Sequence, residues 1–529
     1  MPPKPSIITV SSRAFGLALL IYLWLTASGF ASVFYVATNG FDTNPGTSNR
    51  PFATITKAQA DAASGDIVYL RGGTYYLNNS NLTATNAPWA IVNNLTKSGI
   101  SYLAYPGELP VFDFNNVKPA ILASNRVTAF LVTANNCVFE GFDAVGVQVT
   151  IAGVHTQSEY FRIAGGSNNR FDQLRMHDGM GNGWYLTDGA SNLVVNCDAY
   201  NNRGLDSGSL GNTDGFGCHP AHTTGSGNIL RGCRSWFNSD DGYDCINAFA
   251  AVTFDHCWSF YNGYFTNFTS STGDGNGIKA GGYGISGSNV PNPIPRHVVQ
   301  FCLTVRNRAN GFYANHHMGG INWFNNTAYR NATDFNMLCN TNNTSGTNDV
   351  PGFGQVMKNN LGYKGGTEVS NLGTSNDVTF NFFTLPVTVA TNDFLTLDES
   401  QLMAPRQTNG DLPAIAFAEL AGGSDLIDAG TNLGFAFAGA APDLGAFEFG
   451  FINALPTMSA TQAGTNLIFT GSSGWPNGTN YLIATTNLAL PLAQWTRLAT
   501  NRFDAVGNYA VTNAAPGGGA HKFYGLNIP

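Results

Sequence analysis

Charged side chains are scarce in this chain. Asp, Glu, Lys and Arg make up 11% of its 529 residues, against about 25% in ordinary domains, so any local concentration of them needs a cause. The formal net charge of -8 argues against a nucleic-acid partner. It does not exclude an acidic substrate, because a bound cation adds positive charge that residue counting omits. Long apolar runs are also few. The segment from Ala14 to Leu25, behind the basic Lys4 and Arg13, is too short to span a bilayer comfortably. With the small residues up to Ala31 and a cleavage-like Gly29-Phe30-Ala31, it reads as an export signal. Residues 1–31 are therefore expected to be removed, leaving a secreted chain, extracellular or periplasmic, with no membrane partner. Nor do the eight cysteines form a disulfide framework, since Cys197, Cys233, Cys257 and Cys302 fall in register within a repeat rather than in loops. A bridge among Cys137, Cys218, Cys245 and Cys339 is left open.

That repeat is what the sequence does contain. An apolar-x-Cys-x-x-x-x-Asn pattern places Gln173, Cys197, Cys233, Cys257, Cys302 and Asn326 at intervals of 24, 36, 24, 45 and 24. Asp178, Asn202, Asn238, Asn262, Asn307 and Asn331 follow five residues behind. A constant period broken by insertions means a solenoid with loops. The Leu-x-x-Leu-x-Leu spacing of leucine-rich repeats is missing, and a propeller blade would need about 40 to 45 residues. Short β-type segments divided by Gly and Asn fit an all-β parallel β-helix of about 24 residues per coil. Equivalent positions would then stack about 4.8 Å apart, making ladders of the Asn and Cys columns.

A second frame, Asp or Asn then Gly then an aromatic or Ile, recurs at Asn182, Asp214, Asp241, Asn276 and Asn310. Counted from its first residue, Asp214 and Asp241 share offset zero, while Asp244 and Lys279 share offset three. Stacking of coils therefore predicts that Asp214, Asp240, Asp241 and Asp244 converge on one face, with Lys279 a coil away. Four carboxylates that close repel one another unless a cation sits among them, and an all-oxygen set selects calcium. Other polar groups are candidates for contact with substrate: His219 and His222 just after Asp214, His316 and His317 one coil past Lys279, and Tyr243 and Tyr313 as stacking rings.

Ahead of the repeat, a strand from Val33, a helix over about Thr54 to Ala63 with Ile55, Ala58 and Ala62 on one face, and a strand at Ile67–Leu70 suit a cap over the open end of the solenoid. After Asn331 the repeat is expected to lose register, and residues 451–457 read as a linker. Strand-like runs at Leu467 to Thr470, Tyr481 to Thr485, Trp495 to Ala499, Tyr509 to Thr512 and Phe523 to Leu526 predict a small antiparallel β domain over 458–529.

The opening, the ladder region and the aspartate cluster together resemble the pectate lyases of polysaccharide lyase family nine, over about Val33 to Phe449 and most strongly from Asn169 to Asn331. The resemblance implies a right-handed parallel β-helix over 32–450. It further implies calcium held by Asp214, Asp240, Asp241 and Asp244, Lys279 as catalytic base, and pectate or polygalacturonate as substrate for a monomeric lyase. The chemistry agrees. Eliminative cleavage of a uronate polymer removes the C5 proton α to a carboxylate, so it needs a neutral base and a cation to absorb the developing charge. An unprotonated lysine implies an alkaline optimum. Two other classes remain open: a β-helix glycoside hydrolase working with paired carboxylates, in which Lys279 would have no task, and a non-catalytic polysaccharide-binding or adhesive β-helix.

Overall fold

A computed structural model describes residues 31–86, 89–119, 126–149, 157–204, 212–271, 273–283, 290–341, 348–450, 458–472, 479–486, 495–504, 508–514 and 522–527. Residues 1–30 of the expected export signal lie outside them. No helix among the described residues is long and apolar enough to cross a membrane.

Short strands turn at fixed intervals because each coil repeats the same local chemistry, and the result is a right-handed parallel β-helix with three faces. Among the described residues one sheet has twelve strands, from Val33–Val36 to Asp377–Thr379; the second has ten, from Gly73–Asn78 to Leu361–Tyr363. The third has eleven and carries the candidate site. Its parallel strands run from Trp89–Leu95 to Thr367–Ser370, with Ala84–Asn86 added antiparallel at one edge. The helix spans Ile55–Asp61, where the Thr54 hydroxyl accepts the Lys57 backbone N–H as an N-cap, and buries Ile55 and Ala58. Inside the coils aromatic rings stack along the axis. Phe130 and Phe161 are 4.6 Å apart between centroids, Phe139 and Phe171 5.1 Å, and Phe216 and Tyr243 5.0 Å. Each such pair contributes about 0.5–1.5 kcal/mol beyond its buried area.

Side-chain ladders hold the turns. The Oδ1 of Asn238 accepts the backbone N–H of Asn202, and the same bond runs from Asn238 to Asn262, from Asn262 to Asn307 and from Asn307 to Asn331. The cysteine thiols donate to carbonyls of the preceding coil, Cys197 to Phe171, Cys233 to Val194 and Cys257 to Leu230. All eight cysteines are free and buried.

Three expectations need correcting. Strand pairing aligns Asp172 with Val195, so Leu174 and not Gln173 precedes Cys197 in its column; Gln173 instead takes the left-handed turn position, φ 51°, that Asn196 fills in the next coil. Asp178 is likewise one residue early, with φ 54° against 55° at Asn201, and the next residue, Gly179, donates its N–H to the Asn202 side chain. The solenoid also continues past Asn331. Val356–Lys358 and Asp377–Thr379 extend the first sheet, and Asn326, Asn360 and Asn381 form a further ladder.

From Ser459 onward the chain forms two three-stranded antiparallel sheets among the described residues. They carry their own buried cluster of Phe469, Leu482, Phe503 and Tyr509. Ser459–Ala463 is a strand the sequence pattern did not reveal.

Candidate active site

The Asp/Asn-Gly-aromatic frame is a ladder on the third sheet. Asn182 Oδ1 accepts the backbone N–H of Asp214, Asp214 Oδ1 that of Asp241, Asp241 Oδ1 that of Asn276, and Asn276 Oδ1 that of Asn310. The following glycine is required by close approach: a Cβ on Gly242 would lie 2.1 Å from Ser259 Oγ and 2.7 Å from the Gly277 carbonyl. At two consecutive rungs the ladder uses a carboxylate where its neighbours use an amide. Asparagine would have an N–H donor at the second position; aspartate has a second oxygen to spare.

Those oxygens gather. One carboxylate oxygen each from Asp214, Asp240 and Asp241 lies within 4.8 Å of the others, and all three residues are buried. Asp241 is fully buried, and its Oδ2 faces the Lys279 ammonium. Asp240 is tied to the inserted loop by accepting the backbone N–H of Asp274 on its Oδ1. Strand pairing sets Gly217 beside Asp244 and Asp244 beside Lys279. Lys279 Nζ is 3.1 Å from Asp241 Oδ2, 3.2 Å from Asp244 Oδ2 and 3.8 Å from Asp274 Oδ2. The other oxygen of Asp244 accepts the Ile246 N–H at 2.7 Å.

The electrostatics are those of a cluster short of positive charge. Burial, then the neighbouring carboxylates led by Asp240, hold the Asp214 carboxyl well above its ordinary range. Burial likewise raises Asp241, although Lys279 opposes the shift. At Lys279, burial works against the charge, but Asp241, Asp244, Asp240 and Asp214 outweigh it and hold the ammonium protonated well beyond the usual lysine range. A hard, all-oxygen set of three buried carboxylates fits a calcium ion.

The structure separates the remaining candidates. His219 lies beside the cluster: its Nδ1–H donates to the Ile246 carbonyl at 2.6 Å, its ring is 4.8 Å from that of Tyr185, and its Nε2 has no partner. Burial lowers its pKa. Tyr313 pairs directly with Lys279 across the sheet, and its hydroxyl is 2.9 Å from His316 Nε2, whose Nδ1 is 2.6 Å from Asp349 Oδ1. His222 is on an exposed turn, 3.1 Å from Asp188. Two expectations fail. Tyr243 is wholly inside the coil, stacked on Phe216, and cannot touch a sugar. His317 is fully buried, with Nδ1 accepting the Gly282 N–H and Nε2–H donating to the Pro295 carbonyl, so its work is packing.

Sequence reasoning missed Asp274, Tyr185 and the structural role of Asn182 and Asn276. Tyr185 and Tyr313 share offset three with Asp244 and Lys279, so the same counting finds them. Asp274 lies in an inserted loop and has no periodic signal.

Residues 34–360 match the family model described as the Pel9A-like, right-handed beta helix region. A pectate lyase L of Dickeya chrysanthemi is 33% identical over 425 residues, covering 79% of this chain and 90% of the relative. Among solved structures, a rhamnogalacturonan lyase superposes with a TM-score of 0.71 at 42% identity, over 74% of this chain and 97% of that one. The crystal structure of pectate lyase Pel9A superposes with a TM-score of 0.63 at 28% identity, over 79% and 97%.

Proposed function

The chain belongs to the Pel9A-like polysaccharide lyases of family nine, and from that premise we propose that it cleaves an acidic pectic polysaccharide by calcium-assisted β-elimination with Lys279 as the base. The observation that carries this reading is the placement of Lys279 Nζ, 3.1 and 3.2 Å from Asp241 and Asp244 at the edge of a three-carboxylate cluster. A lysine set there is too deep for an ordinary surface charge, and a hydrolase would give it no task.

Asp214, Asp240 and Asp241 are the residues that would hold the ion, with Asp244 beside them. When bound, calcium supplies charge that offsets these carboxylates and draws electron density from the substrate carboxylate, which acidifies the neighbouring C5–H. The chain's own groups do the rest. Asp241 and Asp244 fix the position of Nζ. The neutral amine of Lys279 takes the C5 proton, the C–H electron pair becomes the C4=C5 double bond, and the C4–O4 bond breaks toward the leaving sugar, whose oxygen takes up a proton. Burial of the cluster keeps water from weakening these interactions.

Two substrates satisfy this chemistry, since pectate and the galacturonate units of rhamnogalacturonan present the same acidic C5–H. Pectate is favoured by the curated relatives, all six of which carry pectate names. Rhamnogalacturonan is favoured by the 42% identity to a solved rhamnogalacturonan lyase, against 28% to Pel9A. Export follows in the same proposal, because a pectic polymer lies outside the cell. The test is ultraviolet absorbance of the unsaturated product from each polymer, with and without a chelator. A new reducing end without that absorbance means hydrolysis and defeats the reading.

A further inference from the structure

The outer face of the third sheet carries a column that extends beyond the carboxylate cluster. Pairing runs from Arg162 to Tyr185, Gly217, Asp244 and Lys279 on five consecutive strands. At about 4.8 Å per step, Arg162 stands about 19 Å from Lys279 along the helix axis. Side chains at paired positions point to the same face.

We propose that Arg162 is a carboxylate-binding subsite for a distant uronate of the same polymer chain, which lies along the helix axis across this column. The proposal rests on the lyase reading above and adds where the chain runs and what it must carry. Arg162 is held rather than free: its guanidinium lies 4.1 Å from the Trp89 ring centroid and 6.0 Å from that of Tyr185. Its Nη1 donates to Glu159 Oε1 at 2.8 Å, and Glu159 Oε2 accepts from the Thr128 hydroxyl. Nε and Nη2 have no acceptor among the described residues, so one edge of the planar fork is open for a carboxylate. A second guanidinium, Arg126, lies 5.0 Å from the same Trp89 ring. Two arginines against one buried glutamate leave this end of the column positive, at the opposite end from a cluster of carboxylates. An arginine fork suits a carboxylate geometrically, and one already stacked on a ring loses little freedom on binding.

The space between is built for a passing sugar chain. Gly217 has no side chain, and a Cβ there would lie 2.5 Å from the Tyr185 ring and 2.7 Å from His219 Nε2. Those two rings therefore close over the glycine and pave the sheet between Arg162 and Asp244. Because His219 Nδ1 donates to the Ile246 carbonyl, Nε2 is the bare acceptor, and it has no partner.

The test compares wild type with the double variant Arg162→Met/Glu159→Gln, which removes the fork without leaving a buried unpaired carboxylate. Arg162→Lys keeps the charge without the fork. Each is assayed on the polymer that wild type cleaves, as the longest and the shortest oligomers that are turned over. The expected result is that the ratio of kcat/KM for long over short oligomers falls about tenfold or more in the double variant, the loss of a charge-assisted hydrogen bond. It falls by less in Arg162→Lys. An unchanged ratio in a folded double variant overturns the subsite while leaving the lyase reading intact. Absence of unsaturated product from both pectic polymers with wild type overturns the lyase reading and the subsite with it.

Discussion

Asp241 holds Lys279 Nζ 3.1 Å from its Oδ2 while its Oδ1 accepts the backbone N–H of Asn276 in the next coil. One carboxylate thus serves two systems: a structural ladder that in the neighbouring coils is built from asparagine, and the reactive face. The two can be separated by substitution. Asp241→Asn keeps the acceptor and the shape but removes the spare anionic oxygen. It should fold, show a higher melting temperature than wild type in chelator because repulsion within the cluster is relieved, and lose a hundredfold or more in turnover, on the order of a metal ligand's contribution. Asp241→Ala should in addition lose about 1–3 kcal/mol of stability, because the buried Asn276 N–H is left without an acceptor. Thermal melts of both variants and an absorbance assay check this. An active Asp241→Asn would remove the carboxylate from the mechanism.

Calcium should act on the fold as well as on the rate. Binding to the native cluster alone stabilises by mass action, so the melting temperature of wild type should rise with calcium and that of Asp241→Asn should rise less. Exhaustive chelation should abolish turnover, and magnesium should not restore it, because it demands tighter octahedral geometry than a cluster of carboxylates fixed on coils provides. Full turnover in chelator would sink the metal requirement.

The aspartates and the lysine were legible in the sequence because counting from the Asp/Asn-Gly frame is the same operation as reading strand register. Asp214 with Asp241, and Asp244 with Lys279, fall side by side for that reason. The same count carries parity, which explains the failure at Tyr243. Offset two holds Trp184, Phe216, Tyr243, Ile278 and Phe312, all buried in the core, while offset three faces out. A tyrosine at offset two is packing whatever its chemistry. Gln173 and Asp178 were misplaced by one because a left-handed residue stands next to each ladder position, and side-chain polarity does not distinguish the two. Asp274, which lies 3.8 Å from Lys279 Nζ, comes from an insertion outside the period. Only tertiary structure returns it to the site.

His317 gives the fold an acid sensitivity that is separate from catalysis. Burial pushes its pKa down to about 4, and the neighbouring His297, its ring 5.0 Å away, is also pushed well below the ordinary value. A histidine held neutral in the native state contributes stability that is fully present above the unfolded pKa of about 6.5 and is lost as pH falls toward about 4. For His317 the amount is on the order of 3 kcal/mol. Urea midpoints measured across that window should fall steeply in wild type and less steeply, by about one proton, in His317→Gln. An unchanged slope would show that His317 titrates freely.

The C-terminal sheets should be dispensable for chemistry. Their buried cluster is separate from that of the β-helix. The segment that closes onto the coils ends earlier: Ala446 N–H donates to Thr327 Oγ1, and Phe447 packs edge-on against Trp258. A chain stopped after Gly450 keeps both contacts. It should retain turnover on soluble polymer, and binding to insoluble pectic material is where a loss is expected. A truncated protein that melts cooperatively yet cannot turn over soluble polymer would assign the C-terminal sheets a part in the site.

The sharpest test falls on Lys279. Lys279→Ala removes the proton acceptor but no carboxylate, so elimination should be abolished while a calcium-induced rise in melting temperature persists. Lys279→Arg separates two roles that a deletion cannot. Arginine stays charged at any accessible pH, so it can pair with Asp241 and Asp244 and hold a polyanion, yet it cannot accept the C5 proton. A lysine that only bound substrate would be largely rescued by arginine; a base would not. The direction of the lysine's own pKa adds a condition. Burial disfavours the ammonium, but the four aspartates outweigh it, so the wild-type rate should climb as pH rises and the amine is freed. That climb should begin at lower pH when calcium is saturating, since positive charge in the cluster opposes the carboxylates. Near-normal formation of unsaturated product by Lys279→Arg would place the base elsewhere.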